Sequence, residues 1–143
     1  MAPITVYIVD DESSVRQALE RLVHSAGLRA EVFETVPALV GLGCFAEPAC
    51  VIADIRMTDV SGLELPGLLA RHGHQLPVIF VTAHDSDQNR EAARRAGAVG
   101  FFHKPVDGQA LLDAITWAVE AARNGTSAGP AAFTAPPNQG NAQ

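Results

Sequence analysis

The chain has 143 residues, of which 48% are hydrophobic and 18% charged, with a formal net charge of −6. That length supports one buried core rather than two, and the hydrophobic fraction speaks against wholesale disorder. An acidic balance with no run of Lys or Arg speaks against direct nucleic-acid binding, which needs a concentrated basic face.

Short β-branched runs alternate with longer stretches of helical period, the pattern of βα units around a parallel sheet covered on both faces. Strands are predicted over residues 4–9, 29–33, 50–53, 78–81 and 98–102. No segment resembles a signal peptide, and no apolar run approaches the roughly 18 residues that span a bilayer. The expectation is a soluble, cytoplasmic protein without a membrane partner.

Between the strands, Ser14-Val15-Arg16-Gln17 matches a capping box, and helix one then runs to Gly27. Thr35 caps a short second helix carrying Leu39, Val40 and Leu42, and Ser61 caps a third carrying Leu65, Leu68 and Leu69. Pro66 would cost an interior hydrogen bond there, so the third helix starts late or is kinked. Asp85 or Ser86 caps a fourth helix closed by Gly97, and Asp107 caps a fifth running through Val119. Residues 1–123 therefore form one domain, and 124–143, rich in Ala, Pro, Gly and Asn, read as a flexible tail without an output module. Cys44 and Cys50 lie in apolar surroundings without metal-ligand spacing and read as buried thiols.

Asp10 and Asp11 follow strand one and Asp54 follows strand three. In an open parallel sheet ligands bind at that carboxyl edge, and a strand order of 2-1-3-4-5 brings the three carboxylates into one crevice. Their mutual repulsion calls for a raised pKa or a bound cation. Oxygen ligands on loops suit Mg²⁺ (or Mn²⁺), which takes one or two carboxylates, waters and phosphate oxygens. Thr82 ends strand four with a hydroxyl and Lys104 follows strand five with a compact positive charge. A nucleophile, a cation and charge-neutralising donors are the parts that phosphoryl transfer requires.

Asp10-Asp11, Asp54, Thr82 and Lys104-Pro105 together resemble, in order and spacing, the receiver domains of two-component signalling. The segments DIRMTDVSGLEL and GAVGFFHKP are most similar to receivers of the FixJ and NarL type. The resemblance covers residues 4 to about 122 and implies a doubly wound, flavodoxin-like α/β fold with five strands in the order 2-1-3-4-5 and five helices. It further implies that Asp54 accepts a phosphoryl group from a histidine kinase or histidine phosphotransfer protein. Asp11, Asp54 and the backbone carbonyl of Arg56 would bind Mg²⁺, with Asp10 contributing partly through water. Lys104 would pair with a phosphoryl oxygen, the Lys104–Pro105 peptide would be cis, and Phe101 would turn inward as Thr82 closes on the phosphate. Counting back from the lysine favours Phe101 over Phe102, and strand alternation places the two on opposite faces. The surface of helix four, strand five and helix five would then serve dimerisation or an effector protein. The implied role is a signalling phosphoacceptor that catalyses its own phosphotransfer and autodephosphorylation, not a conventional enzyme.

Arg56 and His84 each follow a site residue by two and are read as tuning the lifetime of the aspartyl phosphate. Thr58 stands where the family commonly has proline, which implies a less rigid loop. His72 and His74 resemble a metal pair, but at a helix end solvated contact with the dipole is the commoner role. His24 reads as a surface residue and His103 as part of the site rim. A phosphatase of the haloacid dehalogenase type would need an acid where Arg56 stands. A flavodoxin-like cofactor binder would need a phosphate loop less acidic than DDESS. Met1 and the long tail favour a stand-alone receiver over one cut within a linker.

Overall fold

The computed structural model describes residues 3–57 and 60–124. Five parallel strands, β1 (Thr5–Val9), β2 (Arg29–Phe33), β3 (Ala49–Ala53), β4 (Val78–Thr82) and β5 (Gly100–His103), form one sheet in the order β2-β1-β3-β4-β5. The helices are α1 (Ser13–Ser25), α2 (Val36–Val40), α3 (Leu65–Arg71), α4 (Asp87–Ala96) and α5 (Gly108–Arg123).

Alternation along the strands divides the core in two. Val6, Ile8, Cys50, Ile52, Ile79, Val81 and Phe102 pack with Leu19 and Val23 of α1 and with Leu111, Ile115 and Val119 of α5. Tyr7, Val9, Val51, Ala53, Phe80 and Phe101 pack on the other face with Leu39 of α2, Leu65 and Leu69 of α3 and Ala93 of α4. The central strands are buried on both faces and so read as continuous apolar runs rather than alternating ones. The edge strand β2 is largely exposed, and its Arg29 and Glu31 discourage pairing with another chain.

The predicted strands and helices are all present, with ends displaced by a residue or two. Thr35, Ser86 and Asp107 accept backbone N–H groups as caps of α2, α4 and α5. Ser61 caps a single 3-10 turn over Gly62–Glu64, and α3 begins after it. Pro66 thereby falls in the first turn of α3, where its missing N–H is no loss. Gly97, at φ 99°, takes the left-handed conformation that stops α4.

Four expectations are corrected. Ser14 does not cap α1: the helix starts at Ser13 with Glu12 at the N-cap and no side-chain cap. The Asp10 carboxylate accepts the Glu12 N–H at 2.9 Å, which sets the helix entry ahead of Ser14. Leu42 lies beyond α2 and is 40% exposed, because the helix stops before Gly41. Strand five spans Gly100–His103 rather than 98–102. Cys44 is exposed on the loop before β3, whereas Cys50 is buried and its thiol is pushed up to about 12 by that burial. Thr58 and the tail from residue 125 onward lie outside the described residues. Among the described residues no helix is long and apolar enough to cross a membrane.

Leu111 is fully buried between α5 and the sheet. Leu111→Ala is expected to lower stability by about 2–5 kcal/mol, the cost of lost transfer energy plus a cavity. Leu42→Ala, at an exposed position, should change it by less than about 0.5 kcal/mol, with urea unfolding of both variants as the check.

Candidate functional site

At the carboxyl edge of the sheet the parallel ladder continues one residue past β1, β3 and β5. The Asp10 N–H donates to the Phe33 carbonyl at 3.1 Å, Asp54 N–H to Val9 at 3.2 Å and Lys104 N–H to Thr82 at 2.8 Å. These bonds hold Asp10, Asp54 and Lys104 in sheet register although each lies formally in a loop. Asp10 is 1% exposed, Asp54 7% and Thr82 0%.

Lys104 Nζ donates to Asp10 Oδ2 at 3.0 Å and to Asp54 Oδ2 at 2.9 Å. From β5 to β3 is two strand spacings, about 10 Å, so a long flexible side chain is needed to lean over β4. The remaining oxygens have main-chain donors: Glu12 N–H for Asp10 Oδ1 and Arg56 N–H, at 3.2 Å, for Asp54 Oδ1. Burial raises the Asp10 pKa, against the lowering effects of the Glu12 N–H and of Lys104. Burial also works against the Lys104 charge, but hydrogen bonds and attraction from Asp54 and Asp10 outweigh it and raise its pKa.

Asp11 lies at the same edge but is exposed, whereas its neighbour Asp10 is buried. Among the described residues no three Asp, Glu, His or Cys side chains form a group that could hold a metal ion. Lys104 joins Asp10 and Asp54, and Asp11 stands exposed at the same edge of the sheet. The donors nevertheless fit a hard divalent cation, because Mg²⁺ takes few carboxylates and completes its shell with water and carbonyl oxygen. The buried, partly compensated Asp10–Asp54 pair is the concentration of negative charge that such an ion would relieve.

Thr82 Oγ1 accepts the N–H of His84 at 3.1 Å, and both His84 and Arg56 are exposed at the rim. Phe101 is 1% exposed on the α4 side of the sheet, while Phe102 faces α5, as alternation predicts. The Lys104–Pro105 peptide is cis. His103 is exposed beside the lysine. His24 is exposed on α1, and His72 Nδ1 lies 2.9 Å from the Leu68 carbonyl at the end of α3. His74 stacks edge-on against Phe45 at 4.8 Å. The histidine pair therefore takes part in helix-end and ring contacts.

Two supports escaped sequence reasoning. Arg16 donates to the Asp10 carbonyl at 2.7 Å and pairs with Glu34 at 3.5 Å, fastening the loop that carries the acidic pair. Gly62 packs against the main chain of Asp54, where a Cβ would fall on the Asp54 carbonyl oxygen. Its N–H, and the Ser61 hydroxyl, both donate to the Ile55 carbonyl, at 2.9 and 3.1 Å. An Arg in the first turn of α1 and a Gly after a cap are weak signals, since each has commoner explanations.

Lys104→Ala should raise the Asp10 pKa further, because the hydrogen bond and the charge it removes both lower that value; carboxyl-carbon NMR titration reads this directly. The raised pKa has a signed consequence for stability. Between the ordinary value of 3.8 and the raised one the native state binds more protons than the unfolded chain, so stability falls as pH rises through that window. Asp10→Asn should flatten this part of the pH–stability curve. Gly62→Ala should destabilise by about 1–3 kcal/mol and displace Asp54, visible in urea unfolding and in the Asp54 amide resonance.

The family model for the response regulator receiver domain matches residues 6–116. The response regulator protein TmoT of Ectopseudomonas mendocina is 40% identical over 121 residues, which are 82% of this chain and 53% of that protein. The transcriptional regulatory protein TdiR of Thauera aromatica is 39% identical over 115 residues, 80% of this chain and 51% of that one. The chain thus spans about half the length of these curated relatives. The crystal structure of FixJ-N superposes with a TM-score of 0.77 at 32% identity, covering 84% of this chain and 96% of that one. With its sheet order, its buried acidic pair and the lysine that bridges them, the chain belongs to the receiver domains of two-component response regulators.

Proposed function

We propose that Asp54 accepts a phosphoryl group from a histidine kinase or histidine phosphotransfer protein, and that the resulting aspartyl phosphate switches the surface of α4, β5 and α5. The observation that carries this reading is the Lys104 ammonium, within 3.0 Å of both buried carboxylates. A fixed positive charge beside a buried carboxylate is the arrangement needed to neutralise oxygens of a phosphoryl group arriving there.

In the proposed reaction an Asp54 carboxylate oxygen attacks phosphorus in line. The O–P bond forms, the P–N bond to the donor histidine breaks, and its electron pair returns to the imidazole. Asp54 Oδ1, held by the longer contact to Arg56 N–H, is the oxygen more easily released for attack. Lys104 would exchange its carboxylate partners for a phosphoryl oxygen. A divalent cation, held by Asp11, Asp54 and the Arg56 carbonyl with Asp10 partly through water, would spread the negative charge of the transferring group. Thr82 would turn its hydroxyl to the phosphate, leaving the His84 N–H, with Phe101, already inward at 1% exposure, as the aromatic that accompanies this movement. The mixed anhydride hydrolyses again, so the signal is transient.

The folded unit is assigned to residues 1–123, with 124–143 as a tail. The relatives are named as response and transcriptional regulators, so the whole protein's output is proposed to be regulation of transcription through an effector or a phosphorylation-dependent homodimer. With a net charge of −6, these 143 residues are not proposed to touch nucleic acid themselves.

Incubation with Mg²⁺ and phosphoramidate should add one labile phosphoryl group by intact mass, and Asp54→Asn should abolish the gain. Absence of the gain in the natural sequence, or its persistence at residue 54 in the variant, overturns the proposal. Arg56→Ala and His84→Ala should each alter the dephosphorylation rate several-fold in single-turnover decay; unchanged rates remove them from lifetime control.

A further inference from the structure

At the amino edge of the sheet, opposite the acidic pair, the last turns of α5, the end of α4 and the loop between α3 and β4 enclose a hollow of about 510 Å³. Trp117, Ala122, Ala70, Pro66, Leu76 and Pro77 stand in its walls. A second hollow of about 320 Å³, beside the start of β3, shares Leu76, Pro77 and Ala122 with the first, so the two form one groove. Trp117 is 38% exposed, and Ala70 and Ala122 are exposed as well. An open apolar hollow around an indole is the kind of surface that a binding segment covers.

The chain supplies a segment of matching chemistry, and supplies it at this place. Helix α5 ends at Arg123 with Asn124 as its cap, and Ala122 and Arg123 both line the groove. Residues 125–143 hold no Asp, Glu, Lys or Arg, although 18% of the whole chain is charged, and they hold one aromatic, Phe133, among Ala and Pro. A segment that only solvates a domain is commonly charged and poor in aromatics. Because these residues carry no charge, the formal net charge of −6 lies entirely on residues 1–124, where it opposes a second copy at the groove but not the segment. Trp117 stands seven residues before Asn124, about 10 Å back along the helix axis. Nine residues of coil, from Asn124 to Phe133, separate their ends by about 17 Å on average, so the ring reaches the indole without stretching the chain.

We propose that residues 130–137 fold back onto the amino edge of the sheet and dock in this groove, with the Phe133 ring against Trp117. Tethering raises the effective concentration of the segment to about the millimolar range, so a contact too weak to join separate molecules suffices within one chain. The docking is independent of the phosphoacceptor reading, because the groove and Asp54 lie at opposite edges of the sheet.

Trp117 is the single tryptophan of the chain, so its emission reports on the groove alone. In the full chain Phe133→Ala should raise acrylamide quenching of Trp117 about twofold, as a covered population gives way to an open one. Phe133→Leu should restore most of the protection, since an apolar anchor remains. Ala122→Lys puts an ammonium in the groove wall, at a helix end where a cation is tolerated. It should move the Phe133 amide resonance to its position in a free peptide of residues 125–143, while the amide resonances of β3 and β4 keep theirs. Both effects should be the same at every protein concentration. Unchanged quenching in Phe133→Ala, or a Phe133 amide already at the free-peptide position in the natural sequence, overturns the proposal and leaves the groove to another protein. An effect that grows with protein concentration assigns the groove to a second copy and overturns it equally.

Discussion

Two carboxylates are buried at one edge of the sheet, and a single ammonium reaches over β4 to both. Buried charges are tolerated only when paired and hydrogen-bonded, and here every carboxylate oxygen of the pair has a donor. One positive charge against two negatives still leaves the cluster net negative. It is stable enough to fold around and uncompensated enough to attract a cation. The strand order makes this contact possible, since it sets β1, β3 and β4 side by side and brings the lysine that follows β5 within reach of both acids.

The sheet also separates two tasks. The face toward α1 and α5 is filled with aliphatic side chains and Phe102, and it anchors the longest helix. The face toward α2, α3 and α4 carries Phe101 beneath Arg90 and is bordered by the short helix α3 with its proline in the first turn. Adjacent residues on β5 thus serve different layers, and a rearrangement at Phe101 need not disturb the packing of α5.

Much of this was legible beforehand because strand termini obey simple rules. Apolar runs ending in Asp10, Asp54 and Thr82 locate a carboxyl edge, and period-two alternation separates Phe101 from Phe102. Caps at Thr35, Ser86 and Asp107 were readable because a side-chain oxygen followed by free N–H groups is a local signal. What escaped depends on distant partners. The Ser14 capping box failed because Asp10 captured the Glu12 N–H first. The exposure of Cys44 depends on a loop whose path the neighbouring apolar residues do not specify. Arg16 and Gly62 act on main-chain atoms six and eight positions away, and no composition or period marks such contacts. Asp11 is exposed where its neighbour Asp10 is buried, a difference that two adjacent acids in a sequence do not reveal.

The Gly62 contact has an implication for how this domain can vary. The Gly62 N–H and the Ser61 hydroxyl both close on Ile55, so the connection after Asp54 is a ring whose two ends are pinned together. A connection pinned at its neck transmits little of what happens along its rim, so the exposed Arg56 side chain can change character without shifting the carboxylate beside it. The rim is therefore free to vary while Asp54 keeps its place, whereas the neck, where a Cβ on Gly62 would fall on the Asp54 carbonyl oxygen, tolerates nothing larger than a hydrogen atom.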